Sequence, residues 1–152
     1  MRRASIITSV FTFLLIILVG FTYYFLQLRS KDFVILGEVA QVRSSLEMAY
    51  GANTKFPLSD LPLILGTLNE DSQKLCLTGF ESFSTPCDKV ILPLVPVSLI
   101  SEGVVYRYQT VNGQKDYQLE FPLFLNHSKL GVGKGLNCAS SQGINPGPCF
   151  NQ

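Results

Sequence analysis

Charged side chains are scarce in this 152-residue chain, at 15%, and its first long stretch has none. Ala4 to Leu28 reads ASIITSVFTFLLIILVGFTYYFLQL, 25 residues without a charge. Neither sign dominates elsewhere: 12 Lys and Arg stand against 11 Asp and Glu, a net charge of +1. The lack of a Lys/Arg block argues against nucleic acid as a main partner, because phosphate neutralisation supplies most of that affinity. Histidine occurs once, at His127. A catalytic imidazole needs a nucleophile and an orienting acid, and no elbow or signature surrounds any Ser or Cys, so no enzyme is expected. His127, in Asn126-His127-Ser128, reads as a surface-loop residue. No internal repeat is visible.

What is present is a long apolar run that turns amphipathic. As a helix at ~1.5 Å per residue, 25 residues reach about 37 Å, more than the ~30 Å hydrocarbon core of a bilayer. Tyr23, Tyr24 and Phe25 gather at the end of the run, where an aromatic belt would lie. Beyond it, Ile35, Val39, Val42, Leu46 and Ala49 recur at spacings of 4, 3, 4 and 3, one face of a helix. Arg29, Lys31, Glu38, Arg43 and Glu47 lie off that stripe. One continuous helix from about Ala4 to Tyr50 is expected, with Gly51 as its stop. The apolar run is too long for the core of a cleaved signal peptide, and no small-x-small site precedes Arg29-Ser30-Lys31. A retained anchor with a three-residue stub (1–3), a transmembrane helix (4–28) and a domain at 29–152 is the expected organisation. That remainder suffices for one small domain and not for two.

Four cysteines, Cys76, Cys87, Cys138 and Cys149, fall in the non-membrane part as two pairs, each with ten residues between. An even count in a small tethered domain points to two disulfides and an oxidising, extracytoplasmic side. The zinc alternative fits less well, since structural zinc sites favour two to four residues between paired cysteines. Three connectivities are open; 76–87 with 138–149 is the local one.

After the helix, Asn53–Pro57 is a turn that leaves in extended form at Phe56-Pro57. Ser59 or Asp60 caps an expected short helix, Leu61–Leu68, with Pro62 in its first turn. Lys74–Leu77 reads as a short strand and Gly79–Asp88 as a loop closed by the first cysteine pair. Val90–Val95 is apolar, but Pro93 and Pro96 make it an edge or connector. Val104–Val111 and Asp116–Phe124 flank Asn112-Gly113, the clearest hairpin. Tyr106 and Tyr108 share one face of its first strand. On the second, Tyr117, Leu119, Phe121 and Leu123 form the apolar face, with Gln118 and Glu120 facing out. Such a sheet needs a cover, and the Ile35–Ala49 stripe belongs to the only helix long enough to supply it. The fold class expected is α+β: a helical spine (29–51), a short helix and sheet (52–130), and a disulfide-pinned C-terminal loop (131–152) without a core of its own.

These stretches resemble a type IV pilin-like protein, of the type IV pilin and type II secretion pseudopilin group. Lys31-Asp32 leads into the amphipathic run, which ends in Leu46-Glu47 and Tyr50 and a turn closing on Phe56-Pro57, similar to the family's second half-helix. Leu92–Tyr108 is similar to its proline-containing connector, Tyr117-x-Leu119-Glu120 to its following strand, and the cysteine-bounded tail to its C-terminal segment. The chain departs from the family in lacking a recognisable prepilin peptidase site and any Glu in the anchor. The resemblance implies a non-enzymatic, single-pass subunit (minor pilin or pseudopilin) of a type IV pilus or type II secretion-like assembly. It would sit in the cytoplasmic (inner) membrane, N-terminus inside and domain outside. Its partners would be membrane lipid and other pilin-like subunits or assembly-machinery membrane proteins, with no cofactor, metal or small-molecule substrate. Gly37, Thr8, Ser9 and Thr12 would permit close helix approach.

The alternative is a stand-alone membrane-tethered binding module on the same scaffold, with a groove around Leu92–Leu99. Lesser motifs have plain readings. Asn126-x-Ser128 is a formal glycosylation sequon. Asn69-Glu70-Asp71 lacks the alternating oxygens of a calcium loop. Gly131-x-Gly133-x-Gly135 has no Ser or Thr after Lys134, so a flexible loop is expected rather than a phosphate loop. Tyr106 and Tyr108 are read as cross-strand packing rather than ligand contacts.

Overall fold

The computed structural model of the protein describes residues 2–66, 70–96 and 104–150, with side chains along the first helix from residue 11 onward. Its organising element is helix α1, Arg2–Asn53, 52 residues without a break and about 78 Å long at ~1.5 Å per residue. It runs past Gly51 and stops where Thr54 takes a left-handed φ of 57°, its N–H closing on the Tyr50 carbonyl at 2.7 Å. From Phe11 to Leu26 the side chains are exposed all round. The helix is long and apolar enough to cross a membrane.

The described chain then forms β1 (Leu63–Leu65), β2 (Lys74–Cys76), β3 (Phe80–Glu81), β4 (Val90–Leu92), β5 (Tyr106–Val111), β6 (Asp116–Leu123), β7 (Gly135–Ser140) and β8 (Gly143–Pro146). Two antiparallel sheets result, one in the order β1-β5-β6-β7-β8 and one in the order β3-β2-β4. A long helix beside antiparallel sheets makes the fold α+β. The β5–β6 hairpin turns through Asn112 and Gly113, both at positive φ (54° and 63°), with Val111 opposite Asp116. That pair tolerates the left-handed backbone the turn requires.

Ile35, Val39, Val42, Leu46 and Ala49 are all buried and join Tyr106, Tyr108, Tyr117, Leu119, Phe121 and Leu123 in one core. Burying each branched aliphatic side chain there stabilises by roughly 1.5–3 kcal/mol. Phe56 closes the end of the core, stacked on Tyr50 (4.6 Å between ring centroids) and edge-on to Tyr117 (4.8 Å). Arg43, beside the stripe, donates to the Tyr117 hydroxyl (3.2 Å) and the Ser140 carbonyl (3.0 Å), tying the helix to two strands. Disulfides join Cys76 to Cys87 and Cys138 to Cys149. Lys74 holds the first disulfide loop, its Nζ donating to the carbonyls of Phe83 (3.3 Å) and Thr85 (2.6 Å).

Three expectations are corrected. The helix expected at Leu61–Leu68 is instead extended over Leu63–Leu65, paired with Tyr106–Tyr108; residues 67 and 68 lie outside the described residues. Ser59 therefore caps nothing, and its backbone N–H bonds the Thr110 hydroxyl at 3.0 Å. The tail is not a loop: β7 and β8 extend the larger sheet from β6. Glu120 does not face solvent but is 2% exposed, its carboxylate paired with Arg107 (3.4 Å) and with the N–H of Cys149 (3.1 Å), which lies beyond β8.

Candidate functional site

One helical turn beyond Leu28, Asp32 falls on the face of α1 that Ile35 and Val39 continue, and it is 0% exposed. A carboxylate out of water is costly unless hydrogen-bonded, and three donors meet it. The Phe124 N–H bonds Oδ1 at 2.7 Å, and the Leu125 N–H bonds Oδ2 at 2.9 Å. The His127 ring nitrogen Nε2 lies 2.8 Å from Oδ2. All three come directly after β6, so one helical side chain clamps the chain where it leaves the sheet. His127 is thus not a surface-loop residue: its side chain is 9% exposed, and its ring tilts against Phe33 with centroids 5.7 Å apart. The signal that finds this clamp is spacing. Asp32 precedes Ile35 by three residues, which makes it the polar first member of the apolar stripe.

The clamp orders the turn after it. His127 and Val132 bridge as an isolated antiparallel pair, enclosing a 3-10 turn at Ser128–Leu130 that Gly131 ends in the left-handed region, φ 70°. A side chain at Gly131 would be strained there. The glycine run beyond it is not a flexible loop. Asn137, fully buried, accepts the Gly133 N–H (2.9 Å) and donates to the carbonyls of Gly133 (2.8 Å) and Gly135 (2.9 Å). The exposed Asn126 accepts the Lys134 N–H at 2.7 Å. The backbone groups that would cradle a phosphate are therefore bonded within the protein.

Between α1 and this turn lies a cleft of about 390 Å³, walled by Phe25, Arg29 and Phe33 on one side and residues 125–130 on the other. Phe25, Arg29 and Phe33 share a helical face at intervals of four. The Arg29 guanidinium lies 5.6 Å from the Phe33 ring centroid, and Lys31 Nζ lies 5.8 Å from that of Phe124. None of Arg29, Lys31 and Lys129 is paired with a carboxylate among the described residues. Asp32 is engaged with His127 and with two backbone amides, so its carboxylate fixes the position of the turn. Among the described residues no three His, Cys, Asp or Glu side chains gather as a metal site.

The other singled-out residues lie elsewhere. Tyr106 and Tyr108 point into the core. The Tyr106 hydroxyl bonds the Glu38 carboxylate, and that of Tyr108 bonds the Pro57 carbonyl at 2.7 Å. Burial, and secondarily the neighbouring Tyr117, pushes the Tyr108 phenol far above its ordinary range. Burial also raises Tyr117, against the lowering hydrogen bond from Arg43. Glu70 and Asp71 belong to a 3-10 turn, while Asn69 is outside the described residues. The Leu92–Leu99 stretch runs into residues 97–99, also outside them, as are the side chains of Thr8 and Ser9. In comparisons with family models, curated proteins and solved structures, nothing matched the chain.

Proposed function

We propose that this chain is a non-enzymatic, membrane-anchored, pilin-like subunit (minor pilin or pseudopilin) of a type IV pilus or type II secretion-like assembly, its sheet domain extracytoplasmic. The observation that carries the reading is the single helix Arg2–Asn53, apolar and exposed all round from Phe11 to Leu26 and the core-forming cover of the sheets in its second half. A helix apolar on all sides needs lipid or protein around it. The two disulfides favour an oxidising compartment for the domain they brace. Assembly would proceed by packing of anchors, with Gly20 and Gly37, whose surfaces are open, permitting close approach of neighbouring helices.

The experiment is site-specific photo-crosslinking from single positions between Phe11 and Leu26 in native membranes. Protein adducts confined to one helical face are the expected outcome. A strictly monomeric protein with lipid adducts at every position would sink the assembly reading. That outcome would favour a stand-alone tethered binding module, for which the cleft beside Phe33 is the specific supporting feature.

A further inference from the structure

We infer that the cleft between Arg29 and Lys129 binds the headgroup phosphate of an anionic phospholipid, in the leaflet from which α1 emerges. The inference rests on the membrane-anchor reading and adds a ligand class to it. Arg29 is the first charged residue after the apolar run, so in a spanning helix it lies at headgroup depth. Lys129 faces it across the cleft from the 3-10 turn. Charge complementarity favours a phosphate here. Among the described residues Arg29 and Lys129, which line the cleft, have no carboxylate partner, and the nearby acid Asp32 is sealed beneath by its three donors.

The apolar groups fit the remainder of a lipid. Phe25, Phe33 and Leu130 line the same cleft and are 45%, 50% and 55% exposed, beside cations that would snorkel to the headgroup level. The volume, about 390 Å³, lies within the roughly 300–1,000 Å³ of small-molecule sites. The Asp32–His127 clamp gives the turn one fixed position, so Lys129 and Leu130 are presented rather than left to find the surface.

The test uses the full-length protein in nanodiscs of equimolar phosphatidylglycerol and phosphatidylcholine, with retained lipids counted by native mass spectrometry. Preferential retention of phosphatidylglycerol is expected, reduced about fivefold by Lys129→Ala and again by Arg29→Gln, as one cation each near an anionic surface predicts. Lys115→Ala, an exposed cation on the distant hairpin loop, should leave retention unchanged, and unaltered circular dichroism verifies the fold of each variant. Equal retention of the two lipids, unaffected retention in Lys129→Ala and Arg29→Gln, or an equal loss in Lys115→Ala overturns the site. Displacement of the lipid by millimolar glycerol phosphate would make the ligand a soluble phosphate and overturn the lipid assignment. Failure to enter nanodiscs at all overturns the anchor reading itself, a result distinct from incorporation without lipid preference.

Discussion

Replacing Asp32 by Ala removes the one acceptor shared by two backbone amides and an imidazole. The Phe124 and Leu125 N–H groups, at 2.7 and 2.9 Å from its oxygens, would be left without their acceptor in a site sealed by the helix. Each such orphan costs about 1–3 kcal/mol, so the two amides together put the cost at roughly 2–6 kcal/mol. That loss is a large part of the ~5–15 kcal/mol total for a domain. His127→Ala should cost less, about 1.5–3 kcal/mol for one charge-assisted hydrogen bond, because Asp32 keeps both amides. The assay is denaturant unfolding of the full-length protein in detergent, with the double variant closing a cycle. A coupling of about 0.5–3 kcal/mol between the two positions is expected. An Asp32→Ala midpoint within ~0.5 kcal/mol of wild type, the range of ordinary surface changes, would refute the clamp.

Other perturbations probe the rest of the framework. Leu46→Ala, at a fully buried stripe position, should lose about 2–5 kcal/mol by transfer and cavity terms, seen as a lower midpoint with unchanged slope. Removing Cys138–Cys149 by paired Ser substitution should cost about 3 kcal/mol in the chain-entropy model and expose Glu120, measured as faster amide exchange in β6 and β7. Tyr108 and Tyr117 make stability fall in alkali. Their folded-state phenols ionise above the unfolded value near 10, so their contribution is complete below about pH 10 and is lost as pH rises through the folded values. Unfolding midpoints tracked through that range, alongside phenolate absorbance, should show two tyrosines that ionise only as the fold is lost. Normal titration of all six tyrosines without unfolding would contradict the burial.

Much of the frame is legible in the sequence because it comes from period. The 4-3-4-3 recurrence from Ile35 to Ala49 and the alternation from Tyr117 to Leu123 each name a face. Pro93 marks β4 as an edge by removing a donor. What period cannot show is a partner far along the chain. Leu63–Leu65 is extended because Tyr106–Tyr108 pairs with it, a tertiary override of local helix signals. The strands of the tail stay hidden because their buried positions are Asn137 and Ala139, one polar and one small, which carry little hydropathy. Glu120 looks solvent-facing by alternation and is covered by the chain beyond β8, at Cys149, a distant contact that alternation does not encode. Asp32 is the instructive miss: its place on the stripe is plain, but polarity argues against burial until the three donors after β6 are known.

The most direct measurement is intact mass of the protein extracted from its native membranes after an alkaline carbonate wash, before and after reduction. Retention in the membrane pellet is predicted, with a gain of about 4 Da on reduction, two hydrogens for each of two disulfides. Release into the wash, or a mass that does not change on reduction, would contradict a membrane-anchored, disulfide-braced extracytoplasmic domain.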